Sequence, residues 1–181
     1  MKLGLTVLRA IIGALFFGHG TQKLKGWFGG HGLEGTGQFF ESVGLRPGRR
    51  HATLAGAAEA SGGALLTLGL LTPAAAAALI GVMSTAIRTV HIKNGPWVSE
   101  GGYEYNLALI GIMVALADVG PGDVSLDHAL GLEVNGPLVA LLALAAGIGG
   151  AAALTRPEPA PEAEAAPVAS EMPGDPASTA A

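Results

Sequence analysis

Six ionisable side chains stand inside, or at the mouths of, long apolar stretches of the sequence: Arg9, His19, Glu59, Arg88, His91 and Glu104. A charged group near the middle of a bilayer costs at least ~2.5–3.5 kcal/mol, so each is a functional candidate wherever its stretch spans a membrane. Their types suit proton exchange and polar recognition. A carboxylic acid and two imidazoles can give or take protons beside guanidinium groups that stay charged. Depth brings most of them together. From the helical rise, His19 sits roughly 7–8 Å from the end of its helix and Glu59 roughly 10 Å in from the same side. Arg88 and His91 return to that side, and Glu104 starts from it. Helical spacing puts Glu59 on a stripe with Gly56, Gly62 and Gly63, Arg88 with Gly81 and Ser84, and Glu104 with Ala108, Gly111 and Ala115. Small residues mark close helix approach in membranes, which turns these charges toward the bundle interior. The expected arrangement is a Glu59–Arg88 pair, with His19, His91 and Glu104 rimming the same polar pocket.

Competing readings of the same residues are plainer. A Glu–Arg pair could serve only to match two helices. His19 and His91 could ligate haem axially, but two histidines near an interface with charged neighbours suit hydrogen-bonded polar roles better. Lys23 and Lys25 read as interface anchors, and Arg9 as a side chain that snorkels to the opposite headgroups. The sequence shows no metal-ligand spacing, phosphate loop or nucleophile triad, and Gly29-Gly30-His31-Gly32 follows no strand, so it is not a nucleotide fingerprint. With no Cys in the chain, disulfides, thiolate-held iron–sulfur clusters and a cysteine nucleophile are excluded.

The elements that must position these groups are helices. Residues 3–22, 52–71, 74–92, 105–120 and 136–154 are long and mostly apolar. Crossing the hydrocarbon core takes about 20 such residues, whereas buried strands run only about 4–8. The fourth run reaches spanning length only with Tyr103 and Glu104 at the interface. The expected fold is therefore an all-α membrane protein: a four-helix transmembrane bundle, a fifth transmembrane helix and a disordered C-terminal tail. Lys2 before an apolar run resembles a signal peptide, but no small-residue cleavage site follows, so the first helix is read as retained. Thr72 suits an N-cap and Pro73 the first helical position, which makes the second and third helices an antiparallel hairpin. In the connection 23–51, residues 34–43 read as an amphipathic surface helix with Phe39, Phe40 and Val43 on one side. From Pro157 onward, Pro, Ala and acidic residues without an aromatic predict disorder. The division is thus 1–130 for the four-helix domain, 131–156 for the additional helix and 157–181 for the tail.

Charge sets orientation. Lys23, Lys25, Arg46, Arg49, Arg50, Arg88 and Lys93 border the first and third connections, against Lys2 alone on the other face. The positive-inside rule then places loops 23–51 and 93–102 in the cytoplasm. Half of the 181 residues are hydrophobic and only 13% are charged, against about 25% charged in soluble domains. The net charge of −4 carries no basic stripe, which excludes a nucleic-acid partner. That charge belongs to the tail. Residues 157–181 hold five acids and no base, leaving nine acids against ten bases in the body.

Several segments together resemble the DoxX family of small bacterial inner-membrane proteins. They are Leu8-Arg9 with Gly13, Phe16-Phe17, His19-Gly20 and Lys23; Glu59-Ala60-Ser61-Gly62-Gly63 running to Leu68-Gly69-Leu70-Leu71-Thr72-Pro73; Gly102-Tyr103-Glu104-Tyr105-Asn106; and Gly120-Pro121-Gly122 before Ser125-Leu126-Asp127. The resemblance covers roughly residues 3–130 and implies a four-helix core; the fifth run and the acidic tail depart from the usual short form. Its motif positions here are Arg9, His19, Lys23, Glu59 and Glu104. Membership implies association with quinone-linked redox complexes, either as a subunit or as an anchor for a membrane or peripheral redox partner. In the first case the polar pocket touches a quinone headgroup, with His19 or Glu59 exchanging the proton, and any sulfur chemistry occurs on a partner chain. The alternative is a non-enzymatic membrane scaffold or small-solute carrier built on the same cluster.

Overall fold

Helices account for every regular element of the computed structural model, which describes residues 3–156. The long α1 (Leu3–Lys25) is followed by the short α2 (Gly32–Ser42), then α3 (Gly48–Leu68) and α4 (Thr72–Ala86). After these come α5 (Glu104–Val119), the five-residue α6 (Leu126–Leu130) and α7 (Pro137–Leu154). α4 runs on through a π turn at Ile87–His91 and a 3-10 turn at Ile92–Asn94. Among the described residues, three helices are long and apolar enough to cross a membrane: Leu3–Lys25, Thr72–Asn94 and Pro137–Leu154. α3, with 21 residues, packs between α1 and α4; α5, with 16, packs against α4 and α7. The chain is an all-α membrane protein, as its apolar runs predict. The tail expected over 157–181 lies outside the described residues.

Glycine contacts fix how the helices meet. A Cβ on Gly13 would stand 2.6 Å from the Gly63 carbonyl oxygen, and one on Gly20 the same distance from that of Gly56. These two contacts lie seven residues apart on both helices, so antiparallel α1 and α3 touch backbone to backbone along two turns. On the other side, a Cβ on Gly147 of α7 would meet Ile80 and the Ala77 carbonyl of α4. Ala140 and Ala143 of α7 belong to the main core with Phe16, Leu66, Leu79, Ile80, Met113 and Leu116. The fifth apolar run is thus packed into the bundle.

One end of the bundle is tied by a buried Arg and a buried Asp. α3 stops at Gly69, whose φ of 63° supplies the left-handed residue that ends a helix, and Leu70 N–H reaches back to Leu65 O at 2.9 Å. Leu70 and Leu71 are as apolar as the helix before them, which is why hydropathy extends the run to 71. Arg9 of α1 donates to the Thr67 carbonyl and to that of Leu66, which also accepts from Gly69 N, and through Nε to Pro121 O at 3.1 Å. Asp127 accepts from Leu71 N at 2.7 Å, Thr72 N at 3.0 Å and Thr72 Oγ1 at 2.8 Å. The open amides of α4 are therefore capped by a carboxylate from a distant segment. The Thr72 hydroxyl, expected to cap its own helix, donates to that carboxylate instead.

Candidate functional site

A cavity of about 690 Å³ occupies the end of the bundle away from Arg9 and Asp127. Its walls come from the second halves of α1, α4 and α7 and the first halves of α3 and α5, so the space lies in one half of the bundle. Phe39 and Phe40 of α2 add a wall from the surface side. α2 is held there by Gly37 lying against Gly48 and Arg49, and by Glu41, whose Oε1 accepts from Gly48 N at 3.0 Å and so caps α3. Most of the lining is Leu, Ile, Phe, Val, Ala and Gly. Against it stand a few polar groups: His19, Lys23, Glu59, His91 and Asn106 among them.

The polar end is built on one ion pair. Lys23 Nζ lies 2.6 Å from Glu59 Oε2, with the lysine side chain 24% exposed and the glutamate 4%. The Glu59–Arg88 pair expected from depth does not form. α1, not α4, packs closest to α3, and Lys23 Cβ lies against Gly56, one turn from Glu59. Arg88 falls within the π turn, which breaks the α-helical register that aligned it with Gly81 and Ser84. It is exposed, and its Nε donates to Thr155 Oγ1 at 2.9 Å, joining the ends of α4 and α7.

Both candidate histidines line the cavity with one ring nitrogen engaged. His19 Nδ1 is 2.9 Å from Gln22 Oε1, and Gln22 in turn donates to Phe28 O at 3.2 Å. The amide orientation makes Oε1 an acceptor, so His19 donates from Nδ1 and keeps Nε2 for other partners. His91 Nδ1 is 2.7 Å from Gly101 O, which again can only accept. Glu104 does not rim the cavity. Its carboxylate accepts from Val98 N at 2.9 Å and braces the 95–104 loop, where Tyr103 N and Glu104 N also bond to Gly95 O and Pro96 O. Arg9 is at the opposite end. Of the seven residues singled out by sequence, the structure gathers His19, Lys23, Glu59 and His91 and disperses Arg9, Arg88 and Glu104. Sequence reasoning also passed over Asn106 as a site residue, although a buried amide in an otherwise apolar helix is a readable signal.

The DoxX family model matches residues 4–92. A protein of Bacillus subtilis named "Putative oxidoreductase CatD" is 36% identical over 115 residues, covering 64% of this chain and 79% of that protein. The chain belongs to the DoxX family. No solved structure matches it. In this DoxX protein the family match spans α1 to the π turn of α4, and so includes both groups of the ion pair and the three cavity histidines, His19, His51 and His91. α5 and α7, which complete the cavity walls, lie beyond it. The resemblance read from Arg9, Lys23 and Glu59 joins positions with unlike surroundings: Arg9 helps to hold the helix ends, whereas Lys23 and Glu59 line the cavity.

Proposed function

We propose that the chain is a quinone-binding subunit or anchor of a redox complex in the bacterial inner membrane, with loops 23–51 and 93–102 on the cytoplasmic side. The observation that carries this reading is the cavity itself: apolar walls in one half of the bundle, with the Lys23–Glu59 pair, whose carboxylate is buried, and His19 among its few polar groups. A volume of about 690 Å³ falls within the roughly 300–1,000 Å³ usual for small-molecule sites, which combine apolar walls with few polar groups. The name of the Bacillus subtilis relative agrees with redox chemistry. A bound quinone supplies two-electron, two-proton carriage between the bilayer and a redox partner.

The chain's own residues then have separate tasks. Lys23 has ammonium hydrogens beyond the one given to Glu59 and offers them to a ligand carbonyl. Glu59 holds the lysine in place and exchanges a proton at its carboxylate. His19, fixed through Gln22, presents Nε2 as a second proton-exchanging group. Leu15, Phe16, Phe39 and Leu109 exclude water from the apolar part of the ligand. Electrons enter or leave through the redox partner, and any thiol chemistry would lie there, because this chain has no Cys.

The test is to purify the full chain in mild detergent, record its visible spectrum and extract bound lipids. Stoichiometric quinone supports the reading. A quinone-free preparation that still co-purifies with a redox partner favours the scaffold, and a haem spectrum assigns the histidines to a metal instead.

A further inference from the structure

Asn106 is the sole polar residue of α5 between Tyr105 and Asp118. It is 7% exposed and lines the cavity. Its amide nitrogen donates to Met83 Sδ at 3.4 Å. A thioether is a weak acceptor, so this N–H gains by exchanging sulfur for a ligand oxygen. Packing alone gives no reason for an amide here. Leucine at 106 would extend the run Leu107-Ala108-Leu109-Ile110, and a polar side chain buried within a membrane bundle is costly without a strong partner. Asn106 sits on α5, while the ion pair is carried by α1 and α3, so the same ligand meets polar groups from different walls of one space.

We infer that Asn106 is a second anchoring residue of the cavity, donating to one oxygen of a ring ligand whose other oxygen is held at Lys23–Glu59. This rests on the quinone reading and deepens it: the site selects rings bearing two carbonyl oxygens over rings bearing one. Specificity then comes from a neutral donor that no titration alters, while proton exchange stays with the other group of residues.

The experiment titrates the purified full chain in lipid nanodiscs with two probes. One is a short-tailed para-benzoquinone; the other is the matched cyclohexadienone, with a dimethylated carbon in place of one carbonyl. The Cys-free chain offers no thiol to add to either probe. The native protein binds the quinone about tenfold tighter, the scale of one net hydrogen bond. Asn106→Leu loses that preference by weakening quinone binding alone, and Met83→Leu keeps it. Retention of the preference in a folded Asn106→Leu protein overturns the assignment, as does equal weakening for both probes, which is the mark of a merely structural role. If Asn106→Leu does not fold, Asn106→Ser, too short to reach, gives the same reading. Native protein that binds neither probe contradicts the quinone reading together with this assignment, whereas native binding without preference contradicts the assignment alone.

Discussion

Lys23 of α1 and Glu59 of α3 form an ion pair at 2.6 Å whose acidic partner is almost wholly buried and whose basic partner is not. The pair follows from the glycines around it. Gly20 and Gly56 let the two backbones touch, which places the aliphatic stem of Lys23 along α3 and its ammonium at Glu59. A buried carboxylate needs its partner more than a partly exposed lysine does, since the lysine can reach toward the headgroups.

Removing one partner should therefore be worse than removing both. Lys23→Met is expected to cost about 3 kcal/mol by leaving Glu59 buried without a cation. The double variant Lys23→Met/Glu59→Gln should recover part of that loss, with a coupling of about 1–3 kcal/mol. Unfolding titrations in mixed detergent measure all four proteins. Additive costs would show that the pair is not energetically linked.

Two glycines on the same helix should behave oppositely. Gly18 has nothing within 4 Å of a built Cβ, whereas Gly20 would press on Ala60 and the Gly56 carbonyl. Gly18→Ala is expected to stabilise by about 0.5–1 kcal/mol, since mid-helix glycine costs backbone entropy. Gly20→Ala should destabilise by about 1–3 kcal/mol through overpacking and should also weaken ligand binding by displacing Lys23. Thermal melts and ligand titration on both variants check this contrast.

The Asp127 cluster should govern stability without touching ligand binding. Asp127→Ala removes three hydrogen bonds at the start of α4 and is expected to cost about 2–4 kcal/mol. The dissociation constant for quinone should stay within about twofold of native at a temperature where the variant is folded. A large affinity loss there would mean that the two ends of the bundle are coupled.

Membrane orientation is open to labelling. Ser99 lies in the exposed 3-10 turn of the loop after α4. As the single thiol in a Cys-free chain, Ser99→Cys should react with an impermeant maleimide only when the cytoplasmic face is accessible. Labelling of intact cells would invert the orientation.

Helices were the legible part of the fold, because spanning length and apolar content report on one segment at a time. Boundaries were readable where chemistry marks them, as at Thr72-Pro73, and drifted at Gly69, where apolar Leu70 and Leu71 continue past the last turn. The polar groups were harder. Depth correctly brought His19, Glu59 and His91 to one end, since rise per residue is regular. Depth could not say which helix neighbours which, so Glu59 was matched to Arg88 across α4 and not to Lys23 across the glycine contacts of α1. The π turn at Ile87–His91 leaves no trace in periodicity and turned Arg88 away. The role of Asp127 was not legible because it depends on a contact across 55 residues of sequence, although Ser125-Leu126-Asp127 stands out as a motif.

Binding of a short-tailed para-quinone to the full chain in lipid nanodiscs, followed in native and Glu59→Gln proteins of equal helicity, bears most directly on the cavity's role. Saturable one-to-one binding is expected in the native protein, weakened about tenfold or more in Glu59→Gln as Lys23 loses the carboxylate that positions it. Absence of saturable binding in the native protein, or equal affinity in the two, would contradict a quinone site at Lys23–Glu59.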